Sequence, residues 1–301
     1  MKTFLSLLLF TLLSASLMAQ SPVKLQLNLE QGKTYAVKSV TKQTMQQSVS
    51  GQSYNMNITA NRVISFKMLN RENDVLELEM RFDTTDTSIK SAMFNKETSS
   101  AKPSKDPTER LLNKMSLFPL KAKISVAGKF VAFSNYAEYK AFVMQVVDSL
   151  PASKQDEGKK VAESLLKESA LRSLVEPLFA HLSDKSLNLN DSWESNYVTN
   201  SNDMSILIFN TYVLKAVENG TALVSGSTEM ESMASTNPAI KFDQPIKGKS
   251  TFDGKVDLKT GLVLSFSEKS QLQGVLVANS NGAEMKVELK VDGQTETTSN
   301  H

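Results

Sequence analysis

Hydrophobic and polar residues alternate along long stretches of this chain, and that period of two predicts a protein built mainly of β-strands. Leu25, Leu27 and Leu29 alternate with Lys24, Gln26 and Asn28, which predicts a half-buried strand turned at Gln31-Gly32. Tyr35 and Val37 begin a second strand, followed by the polar stretch 41–57, whose low apolar content predicts a solvated hairpin tip around Gly51. Val63, Phe66 and Met68, then a polar break at 70–74, then Leu76, Leu78, Met80 and Phe82 predict a hairpin. The Ser-, Thr- and Lys-rich run 84–105 predicts an exposed excursion. Ile124, Val126, Phe130 and Phe133 around Gly128 predict a further hairpin, and from Asn190 the alternating pattern resumes to the end.

Between the two β regions the period changes to that of helices. Asp106-Pro107-Thr108-Glu109 combines an N-cap, a proline at the first helical position and an acid three residues on, predicting a short helix over 110–116. Tyr139, Phe142, Val143, Val146, Val147 and Leu150 predict a second helix, begun at Asn135 and ended by Pro151. A polar linker over 152–158 leads to a predicted long helix with Leu165, Leu174, Leu178 and Leu182 on its apolar face, broken or kinked by Pro177. Glu163 with Lys167 and Glu168 with Arg172 are spaced for ion pairs along its solvent side.

The pattern therefore predicts an α+β fold: mostly antiparallel sheet, curved, in an N-terminal half (20–134) and a C-terminal half (186–301), with a helical segment (135–185) packed on it. Residues 20–301 form one domain or two joined ones. The halves carry matching features. Asn61–Asn70 and Asn210–Asn219 each run from Asn through a strand to an Asn-led turn, and Val126-Ala-Gly-Lys-Phe130 matches Phe252-Asp-Gly-Lys-Val256. These matches fit an internal duplication, and equally the recurrence of turns that any β protein shows.

The start of the chain adds an address. Lys2, the apolar run 4–18 and Ala19 have the three parts of a secretory signal, too short to span a bilayer, with Gln20 the expected mature start. The 301 residues contain no cysteine, which excludes disulfides, thiolate nucleophiles and thiolate zinc sites. An exported chain without disulfides points to the periplasm or envelope of a Gram-negative bacterium. Without residues 1–19 the 34 basic and 32 acidic residues become 33 and 32, a net charge of +1. That balance offers no footprint for nucleic acid. An outer-membrane barrel is opposed by the helical middle and by a single tryptophan, Trp193, where a barrel needs aromatic girdles.

Leu29-Glu-Gln-Gly32-Lys-Thr-Tyr35, Leu189-Asn-Asp-Ser-Trp193 and Gly254-Lys-Val-Asp257-Leu-Lys-Thr-Gly261-Leu resemble the signatures of an exported bacterial family known as domain of unknown function number 6263. The resemblance covers most of the mature chain and rests on turn and strand-start patterns, so it implies membership and no chemistry. Asn190 stands where the family more often has Gly, which bears on a turn conformation.

Candidate chemistry is sparse. His181 and His301 are the two histidines. His181, at the end of the predicted long helix, suits a cation held by the helix dipole. Ser39-Val-Thr-Lys42 and Ser164-Leu-Leu-Lys167 match a Ser-x-x-Lys pattern that a chain rich in both residues produces by accident. Asp83, Asp86, Asp253 and Asp257 lack the closing ligands of a calcium loop and read as turn residues, Asp253-Gly254 opening one turn and Asp257 to Gly261 a second. No metal, cofactor or catalytic set is expected. The predicted function is non-catalytic binding of an apolar or lipid-like molecule in a cleft lined by Phe142, Val146, Leu174 and Leu178, as in periplasmic lipoprotein carriers, with Met45, Met56, Met68, Met80 and Met93 either an adaptable lining, ordinary core or exposed strand residues. The alternatives are a protein-interaction module of the envelope and a hydrolase whose carboxylates meet only in the fold.

Overall fold

The computed structural model describes residues 21–49, 51–101, 104–201, 204–233, 235, 240–280 and 283–300, so the expected signal over 1–19 and His301 lie outside the described residues. In chain order the strands are β1 (Val23–Lys24), β2 (Thr34–Val49), β3 (Gln52–Glu72), β4 (Val75–Ser91), β5 (Asn95–Ser99), β6 (Leu120–Ser125), β7 (Phe130–Phe133), β8 (Ser186–Leu187), β9 (Ser192–Ser201), β10 (Met204–Glu218), β11 (Thr221–Ser232), β12 (Ile240–Asp257), β13 (Val263–Ser280) and β14 (Ala283–Asn300). The helices are α1 (Pro107–Leu117), α2 (Tyr136–Asp148), α3 (Ala152–Leu165) and α4 (Glu168–Val175), the last running into a single 3-10 turn, Glu176–Leu178.

Twelve strands form one antiparallel sheet in the order β7-β6-β4-β3-β2-β14-β13-β12-β11-β10-β9, with β5 beside the far end of β4. Its two halves join where β2 pairs with β14, Ala36 opposite Asn300 through to Val49 opposite Val287. The core lies between one face of this sheet and the helices. Leu76, Leu78 and Met80 of β4 and Leu120 and Ile124 of β6 pack with Leu111 and Met115 of α1 and Tyr139 and Val143 of α2.

Two stretches expected outside the sheet belong to it. Residues 41–49 and 52–57 extend β2 and β3, with Gly51 at φ +81 at the turn. Thr84–Ser91 prolongs β4, and β5 pairs back on it, leaving Met93 and Phe94 exposed at the tip. Both are polar because none of their residues is fully buried, and the backbone ladder on both sides holds the strands. Leu25, Leu27 and Leu29 are buried as expected, but only Val23–Lys24 pairs as a strand, with β8. The rest is an extended strap across the end of the sheet. Leu27 N–H donates to Val126 O (2.7 Å), Asn28 N–H to Thr260 O (3.0 Å), and Ser183 N–H to Leu25 O (2.9 Å), so one segment ties loops from both halves.

The helix signals divide in the same manner. Asp106 caps α1 as expected, Oδ1 accepting from Thr108 N (2.8 Å) and Glu109 N (3.2 Å), while Glu109 reaches Ser99 N rather than back to the cap. Asn135 does not cap α2; its side chain accepts from Lys121 N (2.7 Å) and donates to Pro119 O (3.0 Å), anchoring the helix to β6. The expected linker 152–158 is the first half of α3, and the expected long helix is interrupted at Leu166 and Lys167 before α4. Glu163 and Lys167 therefore stand on opposite sides of a break. Arg172 pairs forward with Glu176 (2.7 Å) rather than back with Glu168.

Turn readings fare unevenly. Asp257 accepts from Lys259 N and Thr260 N and Gly261 sits at φ +76, a turn as expected. Asp253-Gly254, by contrast, lies inside β12, so Phe252–Val256 is strand where Val126–Phe130 is turn, and that match between the halves does not correspond to equivalent structure. Asn190 takes φ +67, the left-handed conformation that explains a glycine preference there. Gly254 instead serves packing: a Cβ would lie 2.6 Å from the Phe266 ring, and at Gly226 it would lie 2.5 Å from the Phe252 ring. Gly254→Ala is expected to lower stability by about 1–3 kcal/mol, the usual cost of overpacking, read as a lower urea midpoint at unchanged slope; an unchanged midpoint would mean that the ring is not seated over that glycine.

Candidate functional site

Side chains in register across an antiparallel sheet point to the same face, so the pairing assigns each residue a side. Along β12 the even-numbered residues Ile246, Ser250, Phe252 and Val256 are buried and Lys247, Lys249, Thr251 and Lys255 exposed, which identifies the inner face. Four successive rows on that face differ in character. The lowest joins Ser39, Thr297, Phe266, Gly254, Val224 and Leu214, with Arg62 beside Ser39. The next joins Thr41, Thr295, Glu268, Phe252, Gly226 and Tyr212. Above it lies the polar row Gln43, Gly293, Ser270, Ser250, Thr228 and Asn210. The row after that is apolar: Met45, Val291, Leu272, Gly248, Met230 and Ile208.

These rows face a cavity of about 420 Å³ whose lining includes residues of β2, β3 and all strands from β9 to β14. Seven strand steps separate β3 from β9, about 34 Å on a flat sheet, so strands that share one such cavity require the sheet to curl. Helical residues close one side: Leu174 of α4, Pro177 and Leu178 of the 3-10 turn, then Ala180 and His181. An aromatic stack forms the bottom, Trp193 on Tyr212 (5.3 Å between ring centroids), Tyr212 against Phe252 (5.0 Å) and Phe252 on Phe266 (4.9 Å). The volume falls within the range of small-molecule sites, and the lining is about evenly divided between apolar and polar residues.

The polar atoms in this cavity are incompletely satisfied. Thr228 Oγ1 donates to Asn210 Oδ1 (2.8 Å), yet Asn210 Nδ2 is buried without a hydrogen-bond partner of good geometry, as is Ser250 Oγ, next to Thr228 in the same row but outside the cavity lining. Arg62 from β3 and Glu268 from β13 are its charged lining residues. Burial pulls the Arg62 guanidinium below its ordinary pKa. Burial first, and then the Glu268 charge, raise the Tyr197 hydroxyl, and burial raises Tyr212 in the same direction.

Of the four apolar residues expected to line a cleft, Leu174 and Leu178 do so. Phe142 and Val146 do not: Phe142 stacks on Phe118 (4.8 Å) under Lys114 (3.8 Å to the ring), and Val146 is buried beside a surface hollow near Arg110 and Ser149. The break between α3 and α4 separates the two pairs. Among the methionines, Met45 and Met56 are cross-strand partners on the inner face, Met68 and Met80 are core, and Met93 is exposed at a tip. Met230 was not singled out from the sequence and lines the cavity. The alternation around it, Ala222, Val224 and Thr228 with exposed Ser and Glu between, was the available signal.

His181 corrects a sequence expectation. It is not a cation at a helix end but fully buried, its Nε2 2.9 Å from Gly261 O, an acceptor, so Nε2 carries the proton. Desolvation holds its pKa at about 4, against the smaller opposing effect of that hydrogen bond. Its carbonyl accepts from Trp193 Nε1 (3.2 Å). Ser39 and Lys42 lie on opposite faces of β2, so they cannot act together; Ser164 and Lys167 flank the end of α3.

Other hollows are polar. A groove of about 910 Å³ on the outer face is open and carries charges of both signs, among them Lys42, Lys269, Glu229 and Asp292. A cleft of about 780 Å³ holds three carboxylates, Glu176, Asp184 and Glu194. Asp184 is paired with Lys129 (3.0 Å) and Glu176 with Arg172 (2.7 Å), though Glu176 Oε2 is buried without a hydrogen-bond partner. Among the described residues no three His, Asp or Glu side chains gather as a metal site, and no helix is long and apolar enough to cross a membrane.

The profile of a family described as "Family of unknown function (DUF6263)" matches residues 73–263. No curated protein matches the chain. Among solved structures, one titled "Lipid-protein interactions in lipovitellin" aligns with 91% of this chain at 10% identity and a TM-score of 0.47, and this chain spans 26% of that one. The COG4313 outer membrane channel from Pseudomonas putida F1 aligns over 91% of this chain and 98% of its own at 7% identity and a TM-score of 0.25. Neither score reaches that of a shared fold, and neither likeness says what this chain binds.

The buried neutral His181 makes stability depend on pH. Its folded pKa of about 4 lies below the ordinary 6.5, so the unfolded chain binds the proton more readily, and stability falls as pH drops from 6.5 towards 4. The difference corresponds to about 3 kcal/mol at full protonation. His181→Gln, which keeps a donor for Gly261 O, is expected to flatten the stability profile between pH 5 and 7 measured by urea unfolding; a profile as steep as that of the wild type would show that another group governs it.

Proposed function

We propose that this chain, which belongs to the family of unknown function DUF6263, is an exported, non-catalytic binding protein of the Gram-negative cell envelope that holds a lipid-like molecule against the inner face of its sheet. One observation carries the reading: the inner face carries an apolar row that brings Leu272, Met230 and Ile208 to a cavity that Leu174, Pro177 and Leu178 close on one side. Sheet faces that meet solvent in a protein with no apolar ligand are polar on the open side. Here the outer side is polar, and in the inner row Met45, Leu272 and Met230 are only half-buried by the protein's own residues, beside buried Val291 and Ile208. Burying such a row against a hydrocarbon chain contributes about 25 cal/mol per Å² covered.

The interaction-module reading draws on exposed strand edges, and the edges offer little. Edge strand β7 has four residues, and edge strand β9 is flanked by α4, where Asn200 N–H donates to Ser173 Oγ (2.9 Å). The hydrolase reading draws on the three-carboxylate cleft, in which Glu176 and Asp184 are each held by a cation.

The test is a native mass spectrum of the chain purified gently from a Gram-negative periplasm, compared with a denaturing spectrum. The proposal expects a stoichiometric adduct, released on denaturation, with the mass of an amphiphile. A bare protein mass in repeated preparations would overturn it and favour the interaction module.

A further inference from the structure

We infer that the cavity takes an amphiphile with a zwitterionic head, its anionic group on the Arg62 guanidinium and its cationic group beside the Glu268 carboxylate. This rests on the reading of the cavity as a lipid-like site and adds the chemistry of the head. Arg62 enters from β3, and Glu268 from β13, one register row higher and across β2 and β14. Neither takes part in any ion pair among the described residues. His181, which also faces the cavity, is neutral.

The charges decide between ligand classes. A neutral hydrocarbon filling the cavity would strip water from two opposite charges and replace it with nothing, which is costly for each. An anionic head would satisfy Arg62 but face Glu268 uncompensated, and a cationic head would do the reverse. A head that bears both signs answers both. The local chemistry suits that division. A guanidinium offers a planar fork of donors to a phosphate or carboxylate. Glu268 stands opposite Phe252, against whose ring Tyr212 packs (5.0 Å), so an ammonium there would meet a carboxylate and aromatic rings together.

A second, independent observation points into the same space. Asn210 is 5% exposed and lines the cavity, and its Nδ2 has a loose approach to the Tyr197 hydroxyl in place of a hydrogen-bond partner of good geometry. That donor suits a head-group oxygen. The acyl chain then runs along the apolar row of Met45, Leu272, Met230 and Ile208, on the side of the polar row away from the strap.

The experiment uses three probes with one acyl chain in common: a lysophospholipid with an ethanolamine head, one with a glycerol head, and a monoacylglycerol. These are zwitterionic, anionic and neutral. Binding to the full chain is measured by titration calorimetry after delipidation. The wild type is expected to bind the zwitterionic probe at least about tenfold more tightly than either other. Arg62→Gln should weaken both phosphate-bearing probes, and Glu268→Gln should raise the anionic probe to equal or exceed the zwitterionic one. Should Arg62→Gln fail to fold, Glu268→Gln alone decides. Equal affinity for all three probes, or an unchanged order in Glu268→Gln, would overturn the head assignment while leaving the lipid-like site standing. If no probe binds, the site itself falls.

Discussion

The pairing of β2 with β14 is the constraint on which the rest of this molecule depends. It joins strands from opposite ends of the sequence along fourteen partnered positions, from Ala36 and Asn300 to Val49 and Val287. Without it the chain would hold two separate antiparallel sheets. With it, one sheet runs from β7 to β9, and its accumulated twist brings β3 to share a cavity with β9. The entropy of closing so long a loop must be met before the ladder repays it. The strap over Leu25 to Leu29 reinforces the join. At Gly261, Gln26 comes so close that no side chain fits, and the positive φ there makes glycine doubly suited.

Curling gives the two faces different tasks. The outer face meets solvent and is polar almost throughout. The inner face changes along the strands, from aromatic and aliphatic core at the strap end, through a row of Ser, Thr, Asn and Gln, to an apolar row in which Val291 and Ile208 are buried and Met45, Leu272 and Met230 half-buried. Glycines make the aromatic floor possible, since Phe252 lies over Gly226 and Phe266 over Gly254. The buried His181 and Trp193 tie that floor to the loop after the helices through Gly261 O and the His181 carbonyl. The floor is therefore rigid packing; Arg62 and Glu268 enter the cavity in the same two register rows as its rings, and Asn210 in the row above.

Much of this architecture was legible in the alternation of residues. Val75–Phe82 and the capped helix at Asp106 are plain because burial on one face repeats at the period of the element. Residues 41–57 misled because the inner face there is half-exposed, so its strands carry few apolar residues beyond Met45 and Met56. Asp253-Gly254 misled because the glycine is required by a ring from the next strand, a tertiary reason that imitates a turn signal. At the site, Leu174 and Leu178 were recognisable from helical spacing. Phe142 and Val146 share that spacing but face α1, a choice made by packing. Arg62 and Glu268 gave no local sign, because an arginine and a glutamate on alternating strands read as solvent-facing until the register shows that they point inward.

The central claim is that the inner face is an apolar surface awaiting a ligand, and the absence of cysteine from the sequence allows it to be probed one position at a time. Met45→Cys on the inner face and Thr44→Cys on the outer, each labelled with the same polarity-sensitive fluorophore, report the two sides of one strand. The account predicts blue-shifted emission from position 45 that moves further when an amphiphile is added, and water-like, unresponsive emission from position 44. Equal spectra at the two positions, unchanged by an amphiphile, would contradict it.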